Sequence, residues 1–259
     1  MQRVRLLCSE ETVAANDDTL EAFKAKHTAA PADSRLAAEF KGNLRCALIK
    51  VSHEDVVKNL KTFPAGSSGR PDGLTAQHLS DLLAGARDDQ LKTNLTDFIN
   101  VVLKGELPIQ VREILFGGRL IALQMKDGGI LPIAVGYTLR RLAAKCANAH
   151  VIKRRAAELQ FIQVGVVVSE GAEAAIYAMR RLVSDMPDNH VLVKLDFSNA
   201  YNTFRGDTVL ETVADKIREL YRFIHSSLAC NSKLSYSTHT TEAAEGSQQG
   251  DPLSGLEFC

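Results

Sequence analysis

Apolar residues recur at helical spacing through most of this chain, and in only a few places does the spacing shorten to that of a strand. In SHEDVVKNLKTF (52–63), Val56, Val57, Leu60 and Phe63 mark one helical face. Ser52 stands as the N-cap and Asp55 takes the third helical position, where its carboxylate can reach back to the cap. PAGSSGRPDG (64–73) is dense in turn residues. Thr75 caps a helix expected through Leu83. Leu91, Leu95, Phe98, Ile99, Val102 and Leu103 mark another, which Gly105 closes. A helix is expected over 138–159, with Leu139, Leu142, Cys146 and Ala149 on one face. Another is expected over 170–186, and a mainly helical stretch, broken near Glu219, over 207–224.

Three stretches read differently. In GGRLIALQMKDGGILPIAV (117–135), two short apolar runs flank Asp127-Gly128-Gly129, a hairpin signal. VLVKL (191–195) reads as a buried strand, and KLSYST (233–238) as a further strand. EGSQQGDPL (245–253) reads as a loop opening into a helix. Residues 1–50 are Ala-rich and weakly patterned: a loose N-terminal arm with one helix near 19–26 and a linker at HTAAPADSR (27–35). The organised part is expected over 51–259. Helices alternate with a few strands, so the fold class is α+β.

Composition narrows this picture without changing it. The chain has 259 residues, 45% hydrophobic and 24% charged, an ordinary globular balance. No apolar run approaches the ~20 residues that span a bilayer, and the N-terminus lacks a signal-peptide core. Five well-separated cysteines with no C-x-x-C pair argue against zinc and for a reducing compartment, nucleus or cytoplasm. Net charge is zero, but its distribution is uneven. Residues 112–155 carry Arg119, Lys126, Arg140, Arg141, Lys145, Lys153 and Arg154, opposed only by Glu113 and Asp127. A basic stretch of this kind suits a nucleic-acid backbone, and it equally suits a solvated helix surface.

Asp196 closes the apolar run VLVKL. A carboxylate at the end of a strand can project into a cleft and hold Mg²⁺, which takes oxygen ligands. It can also simply cap the following turn. The neighbouring motifs tilt the reading: GRPDGLTAQHL (69–79), KDGGILPIAVGYTLRRLAAK (126–145), LDFSNAYN (195–202) and QQGDPL (248–253), in this order. Together they resemble the reverse transcriptase domain of non-LTR retrotransposons, over about residue 50 to the end of the sequence.

The resemblance implies a right-hand polymerase: fingers, with a fingertip hairpin, and the first half of a palm. It implies nucleotidyl transfer from deoxynucleoside triphosphates to a DNA primer on an RNA template, with two Mg²⁺ ions. Asp196 then corresponds to the first metal-binding aspartate, with the Phe197 carbonyl as a further ligand. Tyr201 corresponds to the ring that excludes a ribose 2′-hydroxyl. Gln249 and Gly250 correspond to the loop that meets template base and nucleotide, and Lys126 to a fingertip phosphate contact. Arg119, Arg140, Arg141 and Lys145 correspond to template-backbone contacts.

Departures from the family pattern accompany these matches. The aromatic-x-Asp-Asp turn that carries the remaining carboxylates is absent from the sequence, as is a thumb. Leu131 and Met125 stand where basic residues are usual, and Glu257 falls in a stretch that the family keeps apolar. The expectation is therefore an inactive polymerase fragment whose residues 191–195 keep unpaired backbone groups, and hence a marginally stable, aggregation-prone chain. The alternative is a noncatalytic nucleic-acid-binding module that uses only the basic segment. An unrelated Mg²⁺-dependent phosphohydrolase built on Asp196 is a third reading.

Overall fold

The computed structural model describes residues 12–27, 48–69, 72–85, 89–125, 128–160, 163–229 and 232–258. It is a mixed α/β structure, about 55% helical, with one small four-stranded sheet. The elements run α1 (Asp17–Lys26), α2 (His53–Leu60), α3 (Ala76–Gly85), α4 (Gln90–Leu103) and α5 (Ile109–Leu115). Next come β1 (Gly118–Gln124), β2 (Ile130–Gly136), α6 (Thr138–Leu159), α7 (Val164–Val167), α8 (Gly171–Ser184), α9 (Ala200–Thr203) and α10 (Gly206–Lys216). A 3₁₀ turn (Arg218–Leu220), α11 (Tyr221–Leu228), β3 (Ser232–Tyr236), β4 (His239–Ala243) and α12 (Ser254–Phe258) complete the order.

Local chemistry accounts for several of these boundaries. At α2 the capping box is complete: the Ser52 Oγ accepts from the Asp55 N–H, and the Asp55 carboxylate accepts from the Ser52 N–H. At α3 the Thr75 Oγ1 accepts from the His78 N–H at 3.1 Å. The α6 bounds coincide with those read from the apolar spacing, and the helical stretch 207–224 is interrupted by the 3₁₀ turn at Arg218–Leu220.

The sheet order is β2-β1-β3-β4. β1 and β2 form the expected antiparallel hairpin, Gly118 opposite Gly136 through Gln124 opposite Ile130. β3 joins β1 in parallel at only two positions, Gly118 with Leu234 and Arg119 with Ser235, and β4 folds back antiparallel on β3. Pro132 has no N–H to give a ladder, and it sits on the edge strand β2, where one is not needed.

Two hydrophobic clusters hold the molecule together. The larger joins α2, α3, α4, α5, α6, α10, α11 and α12 around Ile99, Leu103, Phe116, Leu142 and Ile224. The smaller seals one sheet face with α1: Leu20 and Phe23 against Leu120, Ala122, Ala134, Leu234 and Tyr236. Phe23 is fully buried, its ring edge-on to Tyr236 at 4.7 Å. The helix expected near 19–26 is present as α1, but it is packed on the sheet rather than carried on a loose arm. Periodicity alone did not show it, because only Leu20 and Phe23 of the helix are large apolar residues that find cover. Most of the linker expected at 27–35 lies outside the described residues.

The strand expected at 191–195 does not form. Residues 191–197 run without turn, bend or ladder, and every one of them is exposed. A strand is stabilised by a neighbour that satisfies its backbone groups. Among the described residues none of the four strands pairs with this stretch, so no ladder holds its β-branched residues. β4 and the short helices α5, α7 and α9 were not expected from the sequence.

Candidate nucleic-acid interface

The helix α6 turns its basic residues to two different surroundings. Arg140 points inward and is 6% exposed. Its Nη2 lies 2.5 Å from Asp251 Oδ2, and its Nη1 donates to Gln248 Oε1 and, at 3.1 Å, to the Phe116 carbonyl. The Gln248 amide donates to the same carbonyl at 2.7 Å. The guanidinium also lies over the Phe116 ring. This is a buried, fully engaged ion pair that fastens the 245–253 loop to α6. Arg140 is therefore a structural residue and is not presented to a phosphate, contrary to the role expected for it. Its helical neighbour in sequence, Arg141, faces about 100° away and meets the surface instead.

Arg141 and Lys145 stand one helical turn apart over the ring of Phe63, at 5.1 and 4.9 Å from its centroid. The Arg141 Nη1 donates to the Ser68 carbonyl at 2.9 Å, and the Lys145 Nζ to the Thr62 hydroxyl at 3.0 Å. Neither has a carboxylate partner among the described residues. Burial lowers the pKa of both below the usual range, and for Lys145 the adjacent Arg141 charge lowers it further. For Arg141 the nearby Asp251 charge opposes this lowering, without forming an ion pair with it.

Lys145 opens onto a groove of about 880 Å³ between α2 and α6, which Lys58, Lys153, His150, Asn148 and Asp55 also line. The Asp55 carboxylate is held below its ordinary pKa first by the Ser52 N–H, with Lys153 and His150 adding to this. It is occupied as a cap and offsets only part of the positive charge. The Asn148 Oδ1 is buried without a partner, while its amide donates to the Pro252 carbonyl. Lys58 and Thr62 were missed in the sequence. The signal was there, since Asp55, Lys58, Asn59 and Thr62 form a polar stripe at helical spacing opposite the apolar one.

The remaining candidates fall around the C-terminal turn. Tyr201 and Phe197 both meet Phe258 edge-on, at 5.8 and 5.9 Å. The Tyr201 carbonyl accepts from the Ser247 N–H at 2.7 Å. Gly246, at φ 70°, packs so close to this chain that a Cβ would meet the Tyr201 carbonyl oxygen at 2.3 Å. The structure thus brings Phe197 and Tyr201 together with the 245–258 segment. The Gln249 carbonyl accepts from the Ala134 N–H at 3.0 Å, and this covers part of the β2 edge. Gly250, at φ 109°, is exposed, and its close backbone approach is to Ala134. Of the paired glutamines it is Gln248 that is buried in the network, while Gln249 is half-buried. Arg119 is exposed on β1, and Lys126 lies outside the described residues.

Asp196 is exposed on the unpaired 191–197 stretch. Among the described residues no three His, Cys, Asp or Glu side chains gather into a metal-binding group. A two-metal Mg²⁺ site needs carboxylates converging from more than one position, and among the described residues Asp196, alone on an open segment, does not fit one. No step is derived through the ion. Among the described residues no helix is long and apolar enough to cross a membrane.

Compared with known proteins, the chain matches no family model and no curated sequence.

Proposed function

We propose that this chain is a reverse-transcriptase-like unit, fingers with part of a palm, that grips nucleic-acid backbone and by itself transfers no nucleotide. The observation that carries this is the pair Arg141 and Lys145, stacked on Phe63 without an ion-pair partner among the described residues, together with the groove that Lys145 lines beside Lys58 and Lys153. A phosphodiester in this groove would gain charge-assisted hydrogen bonds from Lys145, with Lys58 and Lys153 further along. Part of the water has already been removed from both α6 cations, so a phosphate there is screened less than at an open surface. Phe63 offers a flat apolar support beneath them. The motif order supplies the partners: an RNA template and a DNA primer, with deoxynucleoside triphosphates in the intact family. Catalysis is set aside because among the described residues Asp196 belongs to no metal-binding group.

The test is fluorescence anisotropy with an RNA–DNA hybrid across a salt series, paired with primer extension in Mg²⁺ and all four deoxynucleotides. Binding is expected to weaken steeply with salt. Lys145→Ala should reduce the slope of log K against log salt by about 1, equally for every nucleic-acid sequence. Asp196→Ala should leave binding unchanged, and no extension should occur. Binding that ignores salt, or that survives Arg141→Ala with Lys145→Ala, would remove the basis for the groove. Extension abolished by Asp196→Ala would show that the unit is a polymerase after all.

A further inference from the structure

The four highest apolar exposures in the described chain belong to one short stretch: Val191 at 84%, Leu195 at 78%, Val193 at 70% and Phe197 at 67%. Alternate residues share a face of an extended chain. Val191, Val193, Leu195 and Phe197 therefore fall on one face, and Leu192, Lys194 and Asp196 on the other. The stretch is anchored beyond its end, where Asn199 donates its amide to the Lys26 carbonyl at 2.8 Å. Its own backbone N–H and C=O groups meet no backbone partner among the described residues. An exposed, unpaired, apolar edge of this kind is a template for another strand.

We propose that residues 193–197 pair antiparallel with the same residues of a second copy of this chain, about a two-fold axis at Leu195. Charge selects both occupant and register. The stretch carries Lys194 and Asp196 two residues apart, so its own reversed copy satisfies both. With the axis at Leu195, each Lys194 lies opposite the Asp196 of the other copy, twice over. Val193 lies opposite Phe197, and Leu195 opposite itself, all on the apolar face. Moving the axis one residue to Lys194 sets two lysines directly opposite one another and Leu192 against Asp196. Like charges in opposed positions destabilise a pair, and opposite charges stabilise it. The contact is isologous and closes after two copies.

The whole chain is the material for the test, and the substituted positions are exposed and outside both hydrophobic clusters. Light scattering after gel filtration is expected to show a concentration-dependent dimer. Asp196→Lys alone should raise its dissociation constant about tenfold or more. Lys194→Asp combined with Asp196→Lys should restore it. Leu195→Cys should form an inter-chain disulfide under mild oxidation above the wild-type level, since opposed residues are about 4.5–5.5 Å apart. Lys194→Cys should not, because its counterpart is a diagonal neighbour about 7–8 Å away. A monomer at every concentration overturns the proposal. So does a dimer or larger aggregate that is indifferent to the charge substitutions, and so does equal cross-linking at the two positions.

Discussion

Glu257 loses water on folding, and the cost depends on pH. Burial first, and then the nearby Asp251, push its carboxyl up to about 8, while Arg140 and a hydrogen bond from Ser247 oppose the rise. Below its ordinary value near 4.5 the group is protonated whether the chain is folded or not, and it costs nothing. Between 4.5 and 8 the unfolded chain ionises it and the folded chain does not, so stability falls across that window and levels off above it. Glu257→Gln should therefore melt higher than the parent at pH 8 and nearly alike at pH 5. In a chain of this size the gap is about 2–4 °C for each kcal/mol. A gap that does not change with pH would refute the assignment. That a charge at this position would be costly if buried was legible in the sequence. That the neighbouring Arg140 would be spent on Asp251 was not, because one-letter spacing does not tell which way a helix turns adjacent basic residues. Gln249 stood out in the sequence, and that Gln248 would be the one buried against Phe116 was not legible for the same reason.

Among the elements, the N-terminal helix α1 contributes most beyond its length. Phe23→Ala should cost about 3–5 kcal/mol by urea unfolding, as a large ring leaves a cavity between helix and sheet. A loss under 1 kcal/mol would mean that α1 sits loosely on the sheet. Helices with clear apolar stripes, α2, α3, α4 and α6, could be read almost to their ends, helped at α2 and α3 by the side-chain caps Ser52 and Thr75. The β1–β2 hairpin was readable through its glycine turn. The segment 191–195 was not. Its β-branched residues state a preference, but a strand is completed by its neighbour, and none pairs with it among the described residues. For the same reason Asp196 was legible as a residue type and not as a placement.

At the scale of the whole molecule, the chain doubles back on itself. The Gln248 amide reaches the Phe116 carbonyl across 132 positions of sequence, and the Asn148 amide reaches Pro252 across 104. With the parallel β1–β3 joint, these contacts lock the first part of the chain to the last. Between them, neither hydrophobic cluster has a member from 160 to 203 among the described residues, and almost all of 172–198 is exposed. The basic groove, built wholly from α2, α6 and the C-terminal turn, does not depend on that excursion either. A protease that nicks the backbone near 186–192 should therefore leave two fragments that still migrate as one particle and still bind a hybrid duplex. Separation of the pieces would require denaturant. The chain is in this respect already divided into two complementing halves that happen to share a tether.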